Sequence, residues 1–311
     1  MLLVAFGDSI TAGVYVNVEE AFPSLIKKST SLEVVAAGVP GNNTDQGKQR
    51  LPNDVISYQP DLVLIEFGMN DHYLVDFGNY NISPVKFKEN LEQMILKSRE
   101  KGAKPFLINI QPVIEGDERD YYYSRHPVAY YEPLGGVNGV IDYYNKIILE
   151  LALNTNTPLI DINKAFREAE KTLELTLTDL ISTKENSGRS DGVHPTPKGH
   201  LIYAETILTV LATVLENQCT EISVINPQDN QVIELQSSGR YLIKVLASNT
   251  NKESGLIPLL TILPVGKTIS AIAPTKNKDE LVGFLALEIE QATSLQLKNL
   301  RSLCQIKIGK L

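Results

Sequence analysis

The sequence predicts two domains: an α/β domain built on a five-stranded parallel sheet over residues 1–217, and a small all-β, sandwich-like domain over residues 218–311. Three observations predict this division. Short, wholly apolar runs alternate with segments long enough for crossover helices in the first part. From Glu221 onward the runs become shorter and richer in β-branched residues, between Asn, Gly, Pro and Lys clusters. The charge also divides: residues 218–311 hold 10 Lys/Arg against 8 Asp/Glu, while residues 1–217 hold 19 against 29.

The first run, Leu2 to Phe6, is bare of polar residues and ends at Gly7, as suits a strand buried on both faces of a parallel sheet. Comparable runs follow at Glu33–Ala37, Leu62–Glu66, Phe106–Ile110 and Leu159–Ile162. Between the third and fourth, Ser83 as N-cap and Pro84 at the first helical position open a helix with Phe87, Leu91, Met94, Ile95 and Ser98 on one face; it stops at Gly102. Thr196 and Pro197 repeat the start signal for a helix carrying Leu201, Ala204, Ile207, Leu208 and Leu211, which closes the first domain near residue 217. Gln111 to Gly139 is long and weakly periodic. Seven of the 13 tyrosines fall between Tyr121 and Tyr144, and so long an irregular stretch in a compact domain is usually functional. In the second domain the expected strands are Ile222–Ile225, Gln231–Leu235, Tyr241–Leu246, Thr268–Ile272, Leu281–Ile289 and Leu303–Ile308.

Composition narrows the function. The hydrophobic share is 43% and the charged share 21%, that of a globular protein with a sizeable core. A net charge of -8, concentrated in the first domain, argues against a nucleic-acid partner, whose non-specific affinity depends on clustered Lys and Arg. The two cysteines, Cys219 and Cys304, form no metal-binding spacing and read as free thiols, with a bridge as the alternative in an oxidising compartment. No run reaches the ~18 apolar residues of a membrane span. Leu2–Phe6 lacks the basic flank of a secretion signal, so a cytoplasmic protein is expected, and a signal removed before this numbering is the alternative.

Three polar motifs follow the first three strands: Gly7-Asp8-Ser9, Gly41-Asn42-Asn43, and Gly68-Met69-Asn70-Asp71. Open parallel sheets bind ligands at the carboxyl ends of their strands, so these motifs should converge. Asp191-Gly192-Val193-His194-Pro195 precedes the last helix of the domain and can sit at the same end of the sheet. Ester hydrolysis through an acyl-enzyme needs a hydroxyl nucleophile, an imidazole base, a carboxylate that fixes its tautomer, and donors for the oxyanion. All these parts are present, and no metal or other cofactor is required.

With these four blocks in order, residues 1 to about 215 resemble the SGNH or GDSL hydrolase superfamily. The resemblance implies a flavodoxin-like three-layer fold, Ser9 as nucleophile, Asp191 and His194 as its partners, and an oxyanion hole from the N–H groups of Ser9 and Gly41 and the amide of Asn70. Two departures stand out. Ile10 occupies the place of the Leu in the family's name motif, and the second block reads Ala37-Gly38-Val39-Pro40-Gly41, so Gly38 remains the rival donor.

Each residue also has a plainer reading. A serine in a strand-to-helix turn is usually a cap, Asn70 a turn residue, and Gly41 a residue needing positive φ. Only their conjunction favours catalysis. Gly41 to Lys48 is not a phosphate loop, because five residues separate its glycines and Gln49 replaces the magnesium-binding Ser/Thr. No Gly-x-Ser-x-Gly elbow is present either. Tyr121, Tyr122 and Tyr130, with His72 after Asn70-Asp71, are the expected substrate wall; the alternative is that the tyrosines anchor a long loop.

The expected reaction is hydrolysis of short-acyl esters, including acetyl esters of carbohydrates. A thioesterase or lysophospholipase acting on longer chains is the enzymatic rival, and a binding protein with a vestigial triad the non-enzymatic one. With only Tyr241 and Phe284 as aromatics, the second domain is a poor sugar-stacking module. It is expected to serve homo-oligomerisation or to shape an edge of the cleft.

Overall fold

The computed structural model describes residues 1–30, 32–115, 126–172 and 175–216, and beyond them the backbone of strands within residues 221–310. The chain divides into two compact units, residues 1–25 with 32–210, and residues 26–31 with 211–311.

Through residue 216 the elements run β1 (Leu2–Gly7), α1 (Phe22–Ser29), β2 (Glu33–Gly38), α2 (Thr44–Asp54), β3 (Leu62–Glu66), a small hairpin β4 (Leu74–Asp76) and β5 (Asn79–Tyr80), α3 (Pro84–Glu100) and β6 (Lys104–Ile108). They continue with α4 (Val128–Tyr131), α5 (Gly136–Asn154), β7 (Leu159–Ile160), α6 (Ile162–Thr172), α7 (Leu177–Leu180), α8 (Lys184–Ser187) and α9 (Pro197–Glu216). Five strands form one parallel sheet in the order β2-β1-β3-β6-β7. The chain leaves β1 first toward β2 and then crosses back to β3, so the strand order reverses beside β1. That reversal opens a crevice at the carboxyl ends of the strands.

Burial explains the strand composition. Leu3 to Phe6 and Leu62 to Glu66 are inaccessible or nearly so on both faces, whereas β2 lies at the edge and is only half-covered. In α3, Ser83 caps Lys86 N at 3.3 Å, and the expected face of Phe87, Leu91, Met94, Ile95 and Ser98 is buried, joined by Asn90. In α9 the buried stripe is His200, Tyr203, Ala204, Ile207, Leu208 and Leu211. Leu201, expected in that core, is 46% exposed, because it stands one residue off the stripe.

The fourth strand lies two residues earlier than the expected 106–110. Its pairing with β3 ends at Glu66 opposite Ile108. Ile110 is instead held by a side chain: its N–H donates to Asn145 Oδ1 at 2.8 Å, and Asn145 Nδ2 donates to its carbonyl at 2.8 Å. The fifth strand stops at Ile160 because Asp161 accepts from Lys164 N at 3.0 Å and begins α6, into which Ile162 falls.

Beyond residue 216 the described backbone consists of the strands Glu221–Ile225, Val232–Leu235, Gly239–Ser248, Thr261–Pro264, Thr268–Ala271, Thr275–Asn277, Glu280–Ile289, Thr293–Lys298 and Cys304–Lys310. Their pairings are antiparallel. Cys219 lies outside the described residues, and so does the side chain of Cys304.

Candidate active site

Each motif sits on a turn that its own sequence forms. After β1, Asp8 accepts from Ile10 N at 2.9 Å, and Ala12 N and Val14 N donate to Asp8 O and Ser9 O, winding the chain tightly around Ser9. After β2, Asn43 caps α2 reciprocally with Gln46, which leaves Gly41 and Asn42 on the loop before the cap. Gly41 has φ +79°, a conformation that glycine adopts at little cost. After β3, Gly68 has φ +131°, and the turn it starts is closed by Asp71 N and His72 N donating to Gly68 O.

The loop bearing Asp191 and His194 is pinned from two sides. Gly192 N donates to Ser182 O and Ser182 N to His194 O, both at 2.8 Å, while Ile114 N donates to Gly192 O and Gln111 Nε2 to Val193 O. Tyr203 OH in turn donates to Gln111 Oε1. The three-residue spacing lets one carboxylate serve twice: Asp191 Oδ2 accepts from His194 N at 2.8 Å, and the two Asp191 oxygens stand 2.9 and 3.0 Å from His194 Nδ1. His194 Nε2 lies 2.9 Å from Ser9 Oγ. With Asp191 accepting, the proton belongs on Nδ1, so Nε2 presents a lone pair to the serine hydroxyl.

A cavity of about 230 Å³ opens over this arrangement. Gly41 and Asn70 line it, whereas Gly38 does not. A Cβ on Gly38 would lie 2.2 Å from Ala12 N, so Gly38 packs against the backbone below the serine turn. Asn70 is held by both amide hydrogens: Nδ2 donates to Asp8 Oδ2 at 3.1 Å and to Asn42 O at 3.0 Å.

None of the four residues expected in the substrate wall is among the described residues that line the cavity. Tyr121 and Tyr122 lie outside the described residues. Tyr130 is not a cavity-lining residue; its ring packs edge-on against Phe77, 6.5 Å away. His72 is a correction too. It is fully buried and absent from the cavity lining, with Nδ1 3.1 Å from Gly68 O and its ring stacked on His126, which does line the cavity. The side walls are Val14, Tyr15, Met69, Tyr73, His126 and Val193, most of them within a few residues of a motif. That adjacency is the signal in the sequence that could have found them. Tyr15 has φ +73°, rare for an aromatic residue, and its ring stands edge-on to the His194 imidazole at 4.9 Å, with the Arg189 guanidinium 4.4 Å from the ring centroid.

Behind the site lies a group of buried carboxyls. Burial raises the pKa values of both Asp8 and Glu66; the Asp8 charge raises Glu66 further, whereas a hydrogen bond with Glu66 lowers Asp8, and Thr11 Oγ1 donates to Glu66 Oε2 at 2.9 Å. Burial pushes Asp71 up to about 7 against the opposing hydrogen bonds from Thr44 N and Oγ1. His200, packed against Phe22 and Tyr203, is driven down to about 3 by burial and stays neutral. Among the described residues no group of three or more His, Cys, Asp or Glu is placed to hold a metal ion, and no helix is long and apolar enough to cross a membrane.

Residues 5–202 match the GDSL-like Lipase/Acylhydrolase family. The chain is 34% identical over 214 residues to the uncharacterized lipoprotein YqeF of Bacillus subtilis (strain 168), an alignment covering 66% of this chain and 87% of that protein. It is 26% identical over 208 residues to the acetylxylan esterase of Geobacillus stearothermophilus, covering 66% of this chain and 81% of the relative. Among solved structures, an acetyl xylan esterase, AlAXEase, superposes with a TM-score of 0.52 at 24% identity over 68% of this chain and all of that one, which shows the shared fold.

Proposed function

The chain belongs to the GDSL-like lipase/acylhydrolase family and is a carboxylic ester hydrolase, and we propose that it removes short acyl groups, acetyl in particular, through an acyl-enzyme on Ser9. The observation that carries this reading is the continuous line from Asp191 through His194 Nδ1 and Nε2 to Ser9 Oγ, each step at 2.9 to 3.0 Å, on the floor of an open cleft.

His194 Nε2 takes the Ser9 proton as Oγ attacks the ester carbonyl, and Asp191 steadies the imidazolium that results. The developing oxyanion is met by the N–H groups of Ser9 and Gly41 and by Asn70 Nδ2, which keeps its Asp8 and Asn42 partners and shares the hydrogen on the Asn42 carbonyl with the substrate. His194 then returns the proton to the leaving alcohol. Water, activated by the same imidazole, hydrolyses the acyl-enzyme.

The short-acyl reading rests on size and on kinship. A cavity of about 230 Å³ is below the roughly 300–1,000 Å³ of sites that hold larger ligands, and one curated relative is named for removing acetyl groups from xylan. The β-rich segment after residue 217 is read as an accessory domain that mediates self-association or borders the cleft. Hydrolysis of 4-nitrophenyl acetate by wild type and Ser9→Ala, extended to butyrate, octanoate and palmitate, tests the assignment. Loss of turnover in the variant and a rate falling with chain length support it. A rate rising with chain length replaces acetyl esters by a thioesterase or lysophospholipase substrate, and equal rates in the two proteins end the Ser9 assignment.

A further inference from the structure

Arg50 lies in α2 outside the cleft, yet its guanidinium reaches two of the three segments that carry the proposed oxyanion donors, those of Ser9 and Gly41. Its side chain is 14% exposed. The flat face rests on the Phe6 ring, 4.3 Å from the centroid. At the edges, Nη2 donates to Gly7 O at 2.5 Å, Nη1 to Ala37 O at 2.8 Å, and Nε to Asn42 Oδ1 at 2.8 Å. Nη1 also meets Asp54 Oδ2, one turn along the helix, at 3.0 Å.

The acceptors matter more than their number. Gly7 is the last residue of β1, two before Ser9, and its carbonyl already takes Val39 N at 3.1 Å. Ala37 is the penultimate residue of β2, and Asn42 follows Gly41. The Asn42 carbonyl accepts from Asn70 Nδ2. No atom packs where a Gly41 side chain would stand: a Cβ built there meets nothing within 4 Å. Its position is therefore set by its neighbours' anchors, namely the Asn42 N to Val39 O turn at 3.2 Å and the Arg50 bond to the Asn42 side chain.

We propose that Arg50 is a positioning residue that fixes the spacing between the Ser9 and Gly41 N–H groups and, through Asn42, the aim of Asn70. The inference rests on the reading of those three groups as the oxyanion hole. A planar fork suits the task because three acceptors diverge around one plane, and a lysine ammonium cannot meet all of them at once. Displacing an aligned group by about 1 Å costs on the order of 10²-fold in rate.

Arg50→Lys and Arg50→Ala are therefore expected to lower kcat on 4-nitrophenyl acetate by roughly 10- to 100-fold, with KM changed by less than about threefold. Added guanidinium or ethylguanidinium at low millimolar concentration should restore part of the Arg50→Ala turnover and leave wild type unchanged. Should either variant fail to fold by circular dichroism, Asn42→Ala, which removes only the Nε acceptor, is expected to fold and to lose about 3- to 10-fold in kcat, on the order of the net worth of one hydrogen bond. Wild-type kcat in a folded Arg50→Lys or Asn42→Ala protein, or a loss confined to KM, overturns the proposal. Ser9→Ala run alongside separates the two layers: if it too keeps wild-type turnover the site reading has failed, and if it is inactive while the Arg50 and Asn42 variants are normal only the positioning role has.

Discussion

Replacing Asp191 by Asn probes the site through a change of two atoms. In the wild type the carboxylate accepts twice, from His194 N at 2.8 Å and from Nδ1–H at 2.9 Å. An asparagine has one oxygen and one NH₂ to offer. Turning the oxygen to the ring sets the NH₂ against the His194 backbone N–H, two donors facing each other in a buried loop, at a cost of about 1–3 kcal/mol. The favoured arrangement gives the oxygen to the backbone and the NH₂ to Nδ1, which forces the ring proton onto Nε2. A protonated Nε2 at 2.9 Å from Ser9 Oγ donates where it should accept. The imidazolium formed during attack also loses its counter-charge, worth about 4 kcal/mol for charge centres roughly 4 Å apart at an effective dielectric near 20. Together these raise the barrier by about 5–7 kcal/mol, a fall of about 10⁴-fold or more in kcat. The assay is 4-nitrophenyl acetate hydrolysis at pH 7.5 with matched thermal unfolding curves. A folded Asp191→Asn enzyme within tenfold of wild type would refute the assigned tautomer and with it the role of Asp191.

Three further outcomes are expected. Asp71, lifted by burial from 3.8 to about 7, contributes stability that is complete below its unfolded value and is lost as pH rises through 7. The gap is worth about 4 kcal/mol, so urea unfolding of Asp71→Asn against wild type should shift in the variant's favour by about that amount between pH 3 and pH 8; a constant difference refutes it. His200 works in the other sense, since its folded value of about 3 lies below the unfolded 6.5. Its contribution is complete above pH 6.5 and lost as pH falls toward 3, and His200→Gln should flatten that acid limb. Gly38→Ala places a Cβ 2.2 Å from Ala12 N and 2.7 Å from Thr11 C and should cost about 3 kcal/mol or more by urea unfolding. Gly41→Ala, with open space but φ +79°, should cost only about 1–2 kcal/mol. Equal losses would remove the distinction between a packing glycine and a loop glycine.

The sequence by itself determined the parts whose cause is local. Apolar runs bare of polar residues have few places to go but the middle of a sheet, which is why Leu62–Glu66 is found at its expected bounds. Ser83-Pro84 starts α3 where capping chemistry requires, and the Asp-x-x-His spacing alone lets one carboxylate serve both a backbone N–H and an imidazole. The order of the four motifs implied that they meet, because parallel strands bring their carboxyl ends to one edge. What only the tertiary structure decided are matters of distance between segments far apart in the chain. It decided that Gly41 and not Gly38 borders the cleft, that His72 is walled in behind His126, and that Tyr130 packs on Phe77 while Tyr15 and Tyr73 line the cavity. It ended the fourth strand early because Asn145, 35 residues on, takes the hydrogen bonds of Ile110. It also brought Arg50 over Phe6, an ordinary charged residue on a polar helix by sequence. Periodicity and capping report what a residue does to its own few neighbours, whereas which atoms fill the space above a serine depends on how whole helices and loops settle against the sheet.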